Sequence, residues 1–505
     1  MSARVTLKVT QGKLRGQVFT FDERTTCLVG RAEDCEPKLP NDQDHGTISR
    51  HHCLLDINPP DIRIRDFGSL NGTFVNGLKI GQRDQGRSPD DAAGAVFPEY
   101  DLKDGDTIGL GKTEFQVGIY VPTVCSSCSR EIPEEHRGEL KAGPGVYRCD
   151  ACRARQTPQP APTLPTKRCS KCGRDVSNEI GQHRHGEYVC VACRADPLQL
   201  IRQLLNQAKS GRSELLAIKG YAIERELGRG GMGAVYLARH EGSGEGVALK
   251  VMLPQVAVDE GATKTFLREV ENTKALHHAN VVQVRDAGCS HGTFFFTLEF
   301  CDAGSVDVLV RQRGGKLPLT EAAPLILQTL DGLSYAHQAP IPYVKLRDGS
   351  VRPGRGLVHR DLKPQNIFLC RAGAGYTAKV GDFGLAKAFD TAGLSGQTRT
   401  GARAGTPVFM PRQQVVNFKY AKPDVDVWAA AASFYSMLTG CFARDFRRDR
   451  DIWRTILDMD PVPVRQRDPS IPKGVAEVID VALREKPQIG FQTAAEFKRA
   501  LEGVL

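Results

Sequence analysis

Four short strings, in this order along the chain, hold residue types that could move a phosphoryl group: LGRGGMGAV, VALK, HRDLKPQN and DFG. In the first, Gly228, Gly230 and Gly233, followed by Val235, allow a hairpin to lie close over phosphate oxygens that any Cβ would push away. VALK alternates as a strand does and carries Lys250 towards the α- and β-phosphates of a nucleotide. FLREVENTKALHH has the apolar period of a helix and offers Glu269 as the ion-pair partner of Lys250; Glu271 is the rival, in a phase that suits solvent. In HRDLKPQN, from His359 to Asn366, Asp361 would take the proton of the attacking hydroxyl and Lys363 would touch the transferring phosphate. Asn366 and Asp382 of DFG would hold Mg²⁺ or Mn²⁺ against the phosphates of ATP. One such string could be chance; the four in sequence point to phosphotransfer.

Together these strings resemble the protein kinase family from about Tyr221 to Leu505. The resemblance implies a two-lobed α+β domain at 221–505 with an adenine slot, Leu298 as its gatekeeper and Glu299 to Cys301 as the hinge that meets the purine. DLKPQN, with Lys363 two residues after Asp361, resembles the serine/threonine branch, which implies protein Ser or Thr as acceptor. Arg360, just before the base, is a guanidinium placed to meet an anion, and a phosphorylated residue of the loop between Asp382 and Gln413 would supply it. Ser395, Thr398, Thr400 and Thr406 are the candidates; Thr406 resembles the threonine lining the acceptor site, and Thr398 with Thr400 resemble an autophosphorylated pair.

Two departures from the family pattern fall on one contact. Gln413 stands where the family has a glutamate after the acceptor loop, and Gly490 stands where its arginine partner would be. Losing one member would strand a buried charge, at about 3–5 kcal/mol, whereas losing both is compensated. PIPYVKLRDGSVRPGRG is longer than the family needs before HRD and reads as a surface hairpin turning at RDGS.

Residues 1–120 read as short strands between glycine and asparagine turns, an all-β sandwich. VGRAEDC, ISRHHC and DFGSLNGTFVNG resemble the FHA domain, a reader of phosphothreonine. The resemblance implies that Arg31 forks the phosphate, Ser49 adds a hydroxyl and Asn71 fixes the peptide main chain, with His52 buried beneath the loop. Leu70 stands where the family often has threonine.

Of 15 cysteines, eight fall into two sets of zinc-site spacing: Cys125, Cys128, Cys149 and Cys152, then Cys169, Cys172, Cys190 and Cys193, with 20 and 17 residues inside the sets. VYRCDACRA and EYVCVACRA nearly coincide, so the unit is repeated, at 121–156 and 168–195. Such small zinc-ribbon-like modules need bound Zn²⁺ for their folding free energy, and four thiolates make closed, structural sites. The linker 157–167 is proline-rich, and 196–220 carries Leu198, Ile201, Leu204 and Leu205 as a helical stripe that would dock on the small lobe or on a second copy in self-association, or serve as a simple amphipathic linker.

The chain has 505 residues, 40% of them apolar and 25% charged, with net charge +9. No apolar run of 18 or more and no signal-like start are present, so a cytoplasmic protein is expected. Scattered arginines without an aromatic stripe argue against nucleic acid as a partner. The whole then reads as a serine/threonine kinase that recruits phosphothreonine proteins, or its own phosphorylated loop, through the FHA domain. The alternative is a phosphopeptide-binding scaffold with a silent kinase fold.

Overall fold

The computed structural model describes the chain except residues 1–2, 23–24, 34, 84–96, 122–124, 126–131, 133–140, 144–145, 148, 154–167, 178, 180–186, 210–214, 216–217, 231–232, 254–259, 291, 346–350, 384–406, 417–420, 448–451 and 487. Ten strands build the N-terminal region: β1 (Arg4–Gln11), β2 (Val18–Phe21), β3 (Thr25–Val29), β4 (Cys53–Asn58), β5 (Asp61–Asp66), β6 (Thr73–Val75), β7 (Leu78–Gly81), β8 (Tyr100–Leu102), β9 (Thr107–Leu110) and β10 (Thr113–Tyr120). They form two antiparallel sheets, ordered β2-β1-β10-β9-β6-β7 and β3-β4-β5-β8, the all-β sandwich expected from the turn-punctuated sequence.

Strand alternation sends Cys27 and Val29 of β3, and Cys53, Leu55 and Ile57 of β4, into the core between the sheets. Leu28 and Leu54 have the opposite phase, yet are only 0% and 2% exposed. What covers them is the C-terminal region: with Ala32, Cys35 and Phe67 they pack on Val415, Ile456 and Leu457. Arg454 lies over the Phe67 ring, 4.8 Å from its centroid. Gly68 makes room for it, because a Cβ there would stand 2.7 Å from Arg454 Nη2.

Two small cysteine modules follow. The first holds β11 (Lys141–Gly143), β12 (Val146–Tyr147) and α1 (Asp150–Arg153); the second holds α2 (Val191–Arg194) and runs straight into α3 (Pro197–Lys209).

The small lobe is a five-stranded antiparallel sheet, ordered β13-β14-β15-β17-β16. Its members are β13 (Tyr221–Gly230), β14 (Gly233–His240), β15 (Gly246–Met252), β16 (Val284–Ser290) and β17 (Thr293–Glu299), with α4 (Glu260–Lys274) between β15 and β16. Period-two alternation splits the consecutive phenylalanines of β17: Phe294 and Phe296 meet Phe266 and Val270 of α4, while Phe295 faces away. That other face is covered by α3, whose Leu200, Ile201, Leu204 and Leu205 join Tyr236, Leu249, Val251 and Phe295 in one core. The amphipathic stripe thus docks on the small lobe of its own chain.

The large lobe comprises α5 (Val306–Gln312), α6 (Leu319–Ala336), the hairpin β18 (Pro340–Lys345) and β19 (Val351–Arg355), the pair β20 (Ile367–Ala372) and β21 (Gly375–Val380), and helices α7 (Arg412–Val416), α8 (Asp424–Thr439), α9 (Ile452–Asp458), α10 (Val464–Arg467), α11 (Lys473–Ala482) and α12 (Ala494–Glu502). α8 is apolar almost all round because α6, α11 and α12 enclose it. No described helix is long and apolar enough to cross a membrane. The strands expected in PIPYVKLRDGSVRPGRG pair antiparallel as β18 and β19; the RDGS turn lies outside the described residues.

Candidate active site

The cleft between the lobes is lined from above by β13 to β15. Their glycines have distinct reasons. A Cβ on Gly233 would stand 1.8 Å from Val251 O, so the strand crossing itself demands glycine, whereas at Gly228 and Gly230 the Cβ direction is open space. Those two leave room for something other than protein, as a phosphate cradle requires. Val235 of β14 pairs directly with Lys250 of β15, which sets both on the same face of the sheet.

Lys250 Nζ lies 2.8 Å from Asp382 Oδ1. The pair expected between Lys250 and Glu269 is not formed, and Glu269 has no ion pair among the described residues. Two bonds tie α4 to β18: Asn272 Nδ2 donates to Tyr343 O (2.8 Å) and Tyr343 N–H donates to Asn272 Oδ1 (2.9 Å). Thr273 Oγ1 adds a bond to Phe383 O (3.1 Å). The extra hairpin therefore grips the helix that carries Glu269. Glu271, the rival, pairs with Lys274 at 3.3 Å and is half exposed, as its phase suggested.

In the catalytic loop, Lys363 Nζ approaches Asp361 Oδ1 and Oδ2 at 3.0 and 2.8 Å. Asn366 Nδ2 donates to Asp361 O (2.8 Å) and to Asp361 Oδ2 (3.2 Å), which leaves Asn366 Oδ1 as the atom able to meet a cation. His359 Nε2 bonds to Gly381 O (2.8 Å), and its ring lies against Phe383 at 4.8 Å, tying the loop to DFG. Burial opposes ionisation of Asp382, but Lys250 beside it, helped by His359 and Lys363, holds the carboxyl below the usual carboxylate range.

At the back of the cleft, Leu298 is buried. Glu299 gives its backbone N–H to Gln283 O (2.9 Å) and its carboxylate to Lys379 (3.0 Å), so the Glu299 N–H is already used within the protein. Burial, with Cys370 next in importance, pushes the Cys301 thiol up, which keeps it neutral.

The loop is anchored by Asp426 of α8, which composition alone does not single out. Its carboxylate accepts from His359 N–H (2.7 Å) and Arg360 N–H (2.8 Å) and lies 2.8 Å from His337 Nε2. Burial raises its pKa, but the His337 contact and the neighbouring donors prevail and hold it low. The signal that could have found it is a charged residue inside the apolar string VDVWAAAASFYSML. Arg360 O in turn accepts from Gln414 Nε2 of α7 (2.6 Å). Thr398, Thr400, Ser395 and Thr406 lie outside the described residues.

The contact vacated at Gln413 and Gly490 is rebuilt from other residues. Glu485 accepts from Arg412 N–H (2.7 Å) and its backbone O accepts from Gln413 Nε2 (2.6 Å). Its carboxylate forms a buried ion pair with Arg444, whose guanidinium lies 4.6 Å from the Trp428 ring centroid and also reaches Met410 O (3.3 Å). No side chain fits at Gly490 in this backbone, since its Cβ would stand 1.9 Å from Val481 O.

In the sandwich, Gly30 allows β3 to cross Arg50 O, which a Cβ would meet at 2.1 Å, and so sets Arg31 beside the loop of Ser49. The Arg31 guanidinium bonds Ile48 O and Asn41. Ser49 Oγ accepts from Leu70 N–H (3.1 Å), and Asn71 Nδ2 donates to Thr47 O (2.6 Å). His52 is fully buried and bridges Ser49 N (3.0 Å) and Gly72 O (3.1 Å), holding the two loops together.

Cys169, Cys172, Cys190 and Cys193 present four sulfurs within 4.8 Å of one another, and so do Cys125, Cys149 and Cys152 among themselves. Cys128 lies outside the described residues. Arg174 Nη2 donates to Cys190 Sγ at 3.2 Å. No described cysteine is disulfide-bonded. This donor set fits zinc.

The protein kinase domain family matches residues 221–489 and the FHA domain family matches residues 27–91. The chain belongs to the protein kinase family and carries an FHA domain ahead of the catalytic fold. It is 30% identical over 299 residues to the serine/threonine-protein kinase PknJ of Mycobacterium tuberculosis, covering 57% of this chain and 45% of that protein. It is 28% identical to the tyrosine-protein kinase MasK of Myxococcus xanthus, over 56% of this chain and 43% of that one. The chain thus spans about half the length of these curated relatives. Among solved structures, Rad53 residues 1–466 in complex with AMP-PNP aligns over 99% of this chain and 100% of that one, with 17% identity and a TM-score of 0.44.

Proposed function

We propose that the chain transfers the γ-phosphate of ATP to Ser or Thr of protein substrates. The observation that carries this reading is the convergence of Asp361, Lys363, Asn366, Asp382 and Lys250 in one cleft, linked by the bonds described above. Asp361 takes the hydroxyl proton, Lys363 neutralises the phosphoryl group in transit, and Gly228, Gly230, Gly233 and Val235 cover the nucleotide. Glu299 and Cys301 line the purine slot. Mg²⁺ or Mn²⁺ bound by Asn366 and Asp382 would supply charge neutralisation at the phosphate oxygens. Glu269 enters the active arrangement when α4 moves to offer it to Lys250.

In the same reading, Thr398 and Thr400 are autophosphorylated and supply the anion for Arg360, and Arg31, Ser49 and Asn71 read phosphothreonine in partners or in this loop. The division into domains is 1–120, 121–156, 168–195 and 221–505, with 157–167 and 196–220 as connections. Zn²⁺ is held by Cys125, Cys128, Cys149 and Cys152, and by Cys169, Cys172, Cys190 and Cys193. Such thiolate sites suit the reducing cytoplasm.

The test is ATP-dependent labelling of a Ser- and Thr-containing acceptor. Asp361→Asn should lower the rate about 10²- to 10⁴-fold, and equal labelling by parent and variant would overturn the assignment. For the reader site, Arg31→Ala should abolish binding of a phosphothreonine peptide.

A further inference from the structure

The two faces of the small-lobe sheet are coupled by alternation. Val235 and Lys250 face the cleft, and their immediate neighbours Tyr236, Leu249 and Val251 face α3 with no exposed surface at all. α3 is therefore the rear wall of the nucleotide site, not a spacer ahead of it. Its position is set by the second cysteine module. Cys193, in α2, is one of the four clustered thiols and also packs in the core shared by α3 and the sheet. Only Ala195 and Asp196 separate α2 from α3. Ala195 O accepts from Arg229 Nη1 at 3.2 Å, and Arg229 stands between Gly228 and Gly230, braced by Glu226 at 2.9 Å. One short connection thus touches the thiol cluster, the rear wall and the glycine hairpin.

We infer that zinc in the module of Cys169, Cys172, Cys190 and Cys193 governs how tightly the small lobe binds a nucleoside triphosphate. This rests on the zinc reading given above. A module this small, whose own buried cluster among the described residues is Val176, Tyr188 and its thiols, owes its folded state to the metal. When the metal leaves, α2 loses its fixed geometry, Arg229 loses its acceptor, and the start of α3 loosens from Tyr236 and Phe295. The hairpin over the phosphates then samples more conformations and holds nucleotide less well. Linkage makes the effect reciprocal: bound nucleotide tightens the metal by the same factor.

The experiment uses the full chain, with zinc content measured by elemental mass spectrometry, a fluorescent ATP analogue for affinity, and amide hydrogen exchange across residues 221–237. Cys172→Ser should lower zinc content by one ion per chain, raise the analogue's Kd about fivefold or more, and speed exchange in β13 and β14. Arg229→Ala should keep the parent's zinc content and raise Kd about three- to tenfold, the worth of one hydrogen bond. At equilibrium, saturating nucleotide should shift the partition of zinc between the parent and a competing chelating dye towards the protein, a measurement that stands even where Cys172→Ser does not fold. Unchanged zinc content in soluble Cys172→Ser would overturn the metal reading itself. Zinc loss with unchanged Kd and exchange, or a zinc partition indifferent to nucleotide, would overturn the coupling while leaving the metal site intact.

Discussion

The catalytic loop and the segment that follows the acceptor loop are each anchored in the large lobe by one buried carboxylate, but in different ways. Asp426 receives two backbone N–H groups, of His359 and Arg360, at 2.7 and 2.8 Å. Glu485 receives one, of Arg412 at 2.7 Å, and spends its other oxygen on Arg444. Main-chain donors are present whatever the neighbouring side chains are. An arginine partner has to be specified, and so can be moved. That is how the bracing contact survives the glutamine at 413 and the glycine at 490: the same loop is held by a different acid, from a different place in sequence.

The comparison breaks most sharply at the ion pair. Arg444→Met should cost about 3–5 kcal/mol by leaving Glu485 buried and unpaired, and Arg444→Met with Glu485→Gln should cost less than the single change. Denaturant midpoints of the three proteins check this, and additive losses would contradict it. Asp426→Asn keeps the shape but removes charge-assisted acceptance and should cost about 2–3 kcal/mol, with labelling activity falling alongside as His359 and Arg360 shift. Asn272→Ala should cost about 1–3 kcal/mol through the backbone of Tyr343 that it leaves unmet; freed from the hairpin, α4 should bring Glu269 nearer Lys250, read as increased activity per folded molecule.

The smallest effect is in pH. The Asp426 carboxyl is held below its unfolded value, so its contribution is complete above the ordinary aspartate pKa of about 3.9 and fades only as pH falls through the lower folded value. Below pH 4 the difference in stability between parent and Asp426→Asn should shrink.

The cleft was legible because its chemistry dictates residue types at short spacing: Asp361, Lys363 and Asn366 sit within one loop, and Lys250 follows a recognisable strand. The pairing of Lys250 with Asp382 in place of Glu269 was not legible, because it depends on the placement of α4, which a hairpin 71 residues away in sequence helps to hold through Asn272 and Tyr343. Arg444 and Glu485 were equally hidden, being 41 positions apart with no motif around either. The covered outer face of the sandwich left a trace only in TTCLV and CLLDIN, where Leu28 and Leu54 interrupt the alternation that a solvent-facing strand would keep. The FHA-to-lobe contact could be suspected from that, but its partner could not.

The sandwich rests on the large lobe through Phe67 and Arg454, while the second cysteine module rests on the small lobe through Cys193 and α3. The chain ahead of the catalytic fold is therefore fastened on both sides of the cleft, the sandwich to one lobe and the second cysteine module to the other. Rotation of one lobe against the other would carry the sandwich and the second cysteine module with it in opposite senses, each as a handle on its own lobe.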